Sequence, residues 1–243
     1  MTPSPVSEVA LPSGGDAKRS YVRRMFTAIA PRYDLLNHLL SLNLDRRWRR
    51  ATVRRLGWER RPGGVYLDLC AGTMDLAATL AREPGFGGRV VGADFVLPML
   101  ERGKGKAARL TPVAADALRL PFADERFDGA MAAFGIRNLA DVDTGLAETR
   151  RVLRPGARFV ALDLAVPRFA PLRAAFLLYF RRLLPVVGRA VSKHRDAYDY
   201  LPESVLAFPD PEALAGRLEA AGFRAVTCER LMGGICALVH GAR

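Results

Sequence analysis

The chain has 243 residues, half of them apolar, with a mean hydropathy near zero, which suits one well-packed domain with terminal additions and leaves two domains cramped. A formal net charge of +12, concentrated in arginine runs at 46–50 and 54–55, admits an anionic partner such as phospholipid or nucleic acid. A solvated, arginine-rich helix face accounts for that charge equally well. No charge-free apolar run approaches the roughly 18 residues of a membrane-spanning helix. Cys70, Cys228 and Cys236 show no CxxC spacing and the three histidines are far apart in sequence, so neither a disulfide framework nor a metal site is expected.

Residues 1–17 are rich in Pro, Ser and Gly, lack the basic start and apolar core of a secretory signal, and read as a disordered tail. From 18 to 57, Met25, Ile29, Leu35, Leu36, Leu39 and Leu40 recur at helical spacing and predict two or three helices, with Pro31 opening the second. After the Pro62-Gly63-Gly64 break, residues 58–243 form an α/β pattern. Strands are expected at 65–69, 89–93, 112–115, 127–133 and 158–164, and helices near 74–82, 98–106 and 142–153. Arg154-Pro155-Gly156 should end the last of these helices. A helical insertion follows at about 171–191, within a wider excursion of about 167–205. A helix at 211–221 ended by Gly222 and strands at 225–231 and 235–240 complete the chain.

The first strand ends in Asp68-Leu-Cys-Ala-Gly-Thr-Met-Asp75 and enters a helix, where an open α/β sheet binds a nucleotide-like ligand. Asp94 ends the next strand about twenty residues on, a position from which a carboxylate accepts bonds from both ribose hydroxyls. Asp116 follows the third strand, within reach of an adenine amino group. Each acid alone reads as well as a local feature: Asp68 as a turn cap, Asp94 as an N-cap, Asp116 as a loop acid. Their order on successive strand ends is what joins them into an adenosine site.

A pyrophosphate needs bare glycine backbone against it. Here only Gly72 remains, with Cys70 and Met74 where a GxGxxG loop would carry glycine. The loop therefore favours the neutral-backbone demands of S-adenosylmethionine over a dinucleotide. Loss of one glycine is tolerable where φ is negative, and both side chains have room beside the adenosine or behind the loop.

Several segments resemble the C-methyltransferases of menaquinone and ubiquinone biosynthesis, the family of demethylmenaquinone methyltransferase, over about residues 23–241. Phe26-Thr-Ala-Ile-Ala-Pro-Arg-Tyr-Asp-Leu-Leu-Asn37 with Ser41 and Trp48 is similar to the family's first signature, although Asp45 stands where the family usually has His. Arg151-Val-Leu-Arg-Pro-Gly-Ala-Arg-Phe-Val-Ala-Leu-Asp163 is similar to the second, with Asp163 in place of Glu and Ala165 in place of Ser. Leu120-Pro-Phe122, Phe127-Asp128 and Phe134-Gly-Ile-Arg-Asn138 also follow the family.

The resemblance implies a class I S-adenosylmethionine-dependent methyltransferase fold, Rossmann-like, with a mostly parallel seven-stranded sheet. It implies that 18–57 form an N-terminal helical lid and that Thr73, Asp94, Asp116 and Ala117 contact the cofactor, beside Asp68 and Gly72 of the loop. Ala133 matches a position that is Ser in some relatives, so a hydroxyl contact is absent there. The implied reaction is C-methylation of a prenylated quinol, demethylmenaquinol before the benzoquinol precursor of ubiquinone, in which a deprotonated ring hydroxyl makes the adjacent ring carbon nucleophilic.

Arg137 is then the group that stabilises the phenolate, directly or through a bound water, because a guanidinium stays protonated and is no simple base. A salt bridge or a loop-ordering role is its plainer reading. Tyr33, Asp34 and Asn37 close over and position the substrate, with helix capping the alternative for Asp34. His194 is a minor candidate for the base.

The protein is expected in the cytoplasm, and because a prenyl-tailed quinol resides in the bilayer, it would reach its substrate peripherally at the inner face of the membrane. Leu172, Phe176, Tyr179, Phe180, Leu183 and Val187 with interleaved Arg173, Arg181, Arg182 and Arg189 suit an interfacial helix, a prenyl channel wall, or an ordinary amphipathic helix on the core. The basic charge also suggests a nucleic-acid methyltransferase. Ala133-Phe-Gly-Ile-Arg-Asn138 in place of an Asn/Asp-Pro-Pro-aromatic motif, and no cysteine there, argue against it. A non-catalytic S-adenosylmethionine-binding partner protein is the other alternative. The sequence leaves the oligomeric state open.

Overall fold

The computed structural model describes residues 15–184 and 195–243. Seven strands form one sheet in the order β3-β2-β1-β4-β5-β7-β6. They are β1 Val65–Leu69, β2 Arg89–Asp94, β3 Leu110–Ala114, β4 Phe127–Ala133, β5 Leu153–Leu164, β6 Arg224–Leu231 and β7 Cys236–Ala242. β3 to β5 run parallel, while β7 is antiparallel to both β5 and β6. The strand order reverses between β1 and β4, so ligands are expected at their carboxyl ends.

The described helices are α1 Gly15–Ile29, α2 Tyr33–Leu40, α3 Leu44–Leu56, α4 Asp75–Ala81, α5 Leu97–Gly103, α6 Val142–Val152, α7 Ala170–Leu178, α8 Arg195–Ala207 and α9 Pro211–Ala220. They cover both sheet faces. Leu67, Leu69, Ala130, Phe159 and Val239 face one side with Leu146 and Leu218; Tyr66, Val90, Met131, Val160 and Leu238 face the other with Trp48, Leu76 and Leu80. This alternation of buried side chains along strands enclosed on both faces is what the near-continuous apolar runs encode.

The sheet and helices lie within a few residues of their sequence-expected bounds, and the departures have physical reasons. Gly15, Asp16 and Ala17 belong to the first turn of α1 rather than to a tail; residues 1–14 lie outside the described residues. Pro31 sits in a 3-10 turn, Ala30–Arg32, and α2 opens two residues later at Tyr33. α6 ends at Val152, just before Arg154-Pro155-Gly156, and β5 begins at once at Leu153; the three residues bulge out of register, since Phe127 pairs with Leu153 and Gly129 with Arg158, and Gly156 at φ +75 makes the bend. α8 contains Pro202, a residue that ordinarily breaks a helix interior, and no separate helix is expected there from sequence. α3 sends Trp48, Val53 and Leu56 into the core beside Tyr66 and Met131, so it is a wall of the domain. α1 and α2 pack instead on α7 and α8 through Val22, Ile29, Leu36, Phe176, Phe180 and Tyr200. Val187, Arg189 and His194 lie outside the described residues.

Candidate functional site

The loop from β1 to α4 is held by two carboxylates. Asp68, 1% exposed, accepts the Ala77 N–H at 2.8 Å in the first turn of α4. Burial raises its pKa to about 7, the charges of Asp94 and Asp75 adding to the effect while the Ala77 bond and Arg49 oppose it. Asp94 at the end of β2 accepts the Gly72 N–H through one oxygen and the Val96 N–H through the other, each at 2.8 Å. Burial raises its pKa too, against these backbone bonds. Asp68 thus acts as the turn cap, and Asp94 fixes the loop while its remaining lone pairs stay available.

Three residues other than glycine at this sheet edge are left-handed: Cys70 at φ +54, Met74 at φ +63 and Phe134 at φ +60. Neither Cys70 nor Met74 therefore meets the condition of negative φ under which losing a glycine costs little. The loop keeps the backbone that glycine would take, at a cost of roughly 1–3 kcal/mol for each such residue. Packing offsets it. Met74 is 0% exposed and fills notches where a Cβ on Gly92 or Gly103 would come within 2.6 and 2.7 Å of it, while Gly135 makes room for Cys70. Met74 lies behind the loop; Cys70 borders the cofactor side with Ala93, Asp94, Ala115, Asp116 and Ala117.

Asp116 accepts the Leu118 N–H at 3.0 Å and forms an ion pair with Arg19 of α1 at 2.6 Å. Lys18 donates to the carbonyls of Arg137 and Leu139, tying α1 over the same edge. The cavity left between these groups is only about 20 Å³. Small residues (Ala93, Ala115, Ala117 and Ala140) and two strand-end acids suit an adenosine, provided that Arg19 swings aside. Further along the loop, Thr73 donates to Asp34 of α2 at 2.5 Å, and Lys106 bridges Asp34 and Asp75 at 2.6 Å each. Asp34 is thus a latch between α2 and the cofactor loop, not a helix cap.

Beside this edge lies a larger cavity of about 350 Å³, lined mostly by apolar groups of α1, α2, α3, α7 and α8. Its polar wall carries Tyr33, Asn37, Asp45, Arg49 and Arg137. Tyr33 stands between the two sites: it stacks edge-on with Phe26 and lies 3.9 Å from where a Cβ on Gly72 would be. Burial raises its hydroxyl pKa, opposed by its bond with Asn37 and by the charges of Arg49 and Arg137. Arg137 is 8% exposed and donates to Phe134 O at 2.7 Å and Asp163 Oδ1 at 2.6 Å. Its Nε and the other Asp163 oxygen have no protein partner. Arg137 thus forms the buried ion pair and also lines the larger cavity.

Phe176 and Phe180 stack at 4.2 Å on the opposite wall, where the helix after α7 loosens into a π turn over Tyr179–Leu183. Tyr179 donates to Leu40 O at 2.7 Å and joins that wall to α2. By contrast Asp128, part of a family-like pair, holds Arg61, Arg154 and the Val65 N–H at the entry to β1, away from the cavity. Sequence reasoning missed Arg19, Lys18, Arg49, Lys106 and Asp163 because each acts across a long-range contact. It also missed His38, whose Nδ1 lies 2.9 Å from Asp45, so that the imidazole absent at position 45 is present one helix away.

Residues 15–243 match the ubiE/COQ5 methyltransferase family. The chain belongs to that family. It is 49% identical to a demethylmenaquinone methyltransferase from Thermus thermophilus over 90% of this chain and 100% of the relative. It is 43% identical to a ubiquinone/menaquinone biosynthesis C-methyltransferase UbiE from Geobacter sulfurreducens, over 85% of this chain and 82% of that one. Among solved structures it is similar to a SAM-dependent methyltransferase from Thermotoga maritima, described as a possible histamine N-methyltransferase, with TM-score 0.64 and 16% identity over 90% of this chain and 98% of that one. This last likeness bears on the fold, which is that of the class I methyltransferases.

Proposed function

We propose that this methyltransferase methylates a ring carbon of a prenylated quinol, converting demethylmenaquinol to menaquinol. S-adenosylmethionine, when bound, supplies an electrophilic methyl group. The observation that carries the reading is the adjacency of the two sites: an apolar cavity of about 350 Å³, within the range of small-molecule pockets, opens beside the loop between Asp68 and Asp75, with Tyr33 at their junction.

Asp94 holds the ribose, Asp116 and Ala117 border the adenine, and Gly72 and Thr73 present the loop to the methionine part. α1 and α2 act as a lid: Arg19 leaves Asp116 and Asp34 leaves Thr73 to admit the cofactor, then the lid excludes water. Arg137, fixed by Asp163, places a permanent positive charge against the quinol oxygen and favours the phenolate. Tyr33 and Asn37 orient the ring, and Phe176 and Phe180 receive the tail.

A quinol of this kind resides in lipid, so the protein works at the cytoplasmic membrane surface. No described helix is long and apolar enough to cross a membrane. Exposed Leu178, Leu183, Arg181 and Arg182 supply a surface for peripheral contact.

The test is turnover of a short-tailed demethylmenaquinol by the purified chain, with a product heavier by one methylene. Absence of product, with S-adenosylmethionine bound, rejects the reading. The Geobacter relative's name supports a benzoquinol as the second substrate; the precursor that accumulates in a strain lacking the protein decides between the rings.

A further inference from the structure

Methylating a ring carbon exchanges a C–H bond for a C–C bond, and one proton leaves per turnover. The donor's carbon–sulfur bond breaks as the carbon–carbon bond forms, and its electron pair stays on the departing neutral thioether. The ring hydroxyl gives up a proton to form the phenolate. The methylated ring carbon then gives up its proton as aromaticity returns, and the oxygen regains one. An apolar cavity closed by a lid holds that net proton poorly, so a polar route out is required.

Two cavities share a wall here. Asp45, 2% exposed, lines the apolar cavity. His38 lines a separate polar pocket of about 410 Å³ on the outer side of α2 and α3. His38 Nδ1 and Asp45 Oδ2 are 2.9 Å apart, and Ser41 Oγ donates to the other Asp45 oxygen at 2.8 Å, which fixes the carboxylate. Resting on the quinol reading above, we propose that Asp45 and His38 carry the proton released by methyl transfer from the substrate cavity to the outer pocket.

Asp45 touches the substrate cavity and His38 acts through it. Burial opposes the Asp45 charge, but Ser41, Arg49 and His38 outweigh it and hold the carboxyl below the usual range. The carboxylate therefore passes the proton on, and the imidazole keeps it until solvent takes it. The charged groups around His38 are Asp45, Arg46, Arg49 and Arg50 from α3, and Asp75, Arg82 and Glu83 from α4 and its end.

The decisive variants are His38→Gln, which keeps a side-chain partner for Asp45 without a titrating ring, and His38→Ala. With the short-tailed quinol, His38→Gln should lower kcat roughly ten- to hundredfold at unchanged quinol KM, and remove the rising limb of the kcat profile where imidazoles titrate. S-adenosylmethionine affinity by calorimetry should stay unchanged. Added imidazole should partly restore His38→Ala, because the outer pocket is large enough to admit it. Wild-type kcat and pH profile in a folded His38→Gln chain overturn the relay, as does a His38→Ala chain that imidazole leaves inactive.

A second readout needs no turnover. In the cofactor-free protein, the His38 Nδ1 resonance followed by NMR at one fixed pH should move in Asp45→Ala, because the 2.9 Å bond to the carboxylate is lost. An unmoved resonance overturns the coupling. If wild-type protein does not methylate the quinol, it is the proposed function that fails, and the ring resonance alone then decides the pair.

Discussion

Arg137 and Asp163 form a buried ion pair, 2.6 Å from Nη1 to Oδ1, with side chains 7% and 5% exposed. The pair joins the loop after β4 to the end of β5 and holds the guanidinium against the larger, mostly apolar cavity. A charge fixed in a dry wall acts mainly on charge that develops during the reaction. Arg137→Ala should therefore lower kcat by about 100-fold or more while changing S-adenosylmethionine affinity little. Arg137→Lys should recover only part, since it keeps the charge without the planar fork. Single-turnover rates and calorimetry on the same samples check this; a parallel loss of rate and affinity demotes Arg137 to loop ordering.

Asp94 holds the loop and, in the proposed function, the ribose as well. Asp94→Ala should weaken S-adenosylmethionine binding by roughly 1–3 kcal/mol, the cost of losing charge-assisted bonds and of freeing the Gly72 N–H. Asp94→Asn should lose less, because it still accepts. Unchanged affinity in folded Asp94→Ala removes the residue from the site.

Asp68 carries a pH signature. Its folded pKa is about 7 and its unfolded value about 4, so between these the folded chain holds a proton that the unfolded chain has released. The stability this group contributes is complete below about pH 4, falls as pH rises and is lost above about pH 7. Asp68→Asn imitates the protonated acid and can still accept the Ala77 N–H. It should be no more stable than wild type at pH 4 and more stable at pH 8, by up to about 4 kcal/mol. Denaturant unfolding at the two pH values tests the sign; equal shifts at both reject it.

The sheet, the glycine loop and Asp68, Asp94 and Asp116 are legible in sequence because strand alternation and strand-end acids are local patterns. What the lid does is not. Arg19 on Asp116, Asp34 on Thr73 and His38 on Asp45 depend on how α1, α2 and α3 are laid across the sheet edge, and no spacing rule encodes that. The hand of the backbone at Cys70 and Met74 was hidden for a different reason. Residue type there points to negative φ, and only the packing of Met74 against Gly92 and Gly103 explains why the strained form persists.

The two loop residues should part company on mutation. Cys70→Gly relieves a left-handed Cβ and removes a small, part-buried side chain, so its stability should stay within about 1 kcal/mol of wild type. Met74→Gly relieves the same strain but empties a fully buried site, and the cavity cost of about 2–5 kcal/mol should win. Equal melting temperatures for the two variants contradict this account.

On α7 and the π turn after it, the arginines and the stacked phenylalanine rings lie on opposite faces. Arg173, Arg181, Arg182, Leu178 and Leu183 are exposed, while Phe176 and Phe180 are buried on the cavity wall. In the proposed function, anionic lipid meets the first group and the prenyl tail the second. Replacing Arg181 and Arg182 with Gln should weaken co-sedimentation with phosphatidylglycerol vesicles and reduce its salt sensitivity, with turnover of a tail-less quinol nearly intact. Replacing Phe176 and Phe180 with Ser should depress turnover of a long-tailed quinol more than that of a tail-less one, because only the tail loses apolar contact. The second effect must be read at matched fold stability, since the stacked rings also pack against α1 and α2. Wild-type vesicle binding in the first variant removes the lipid role of the arginines, and equal losses on both substrates in the second make the ring pair a structural support for the lid.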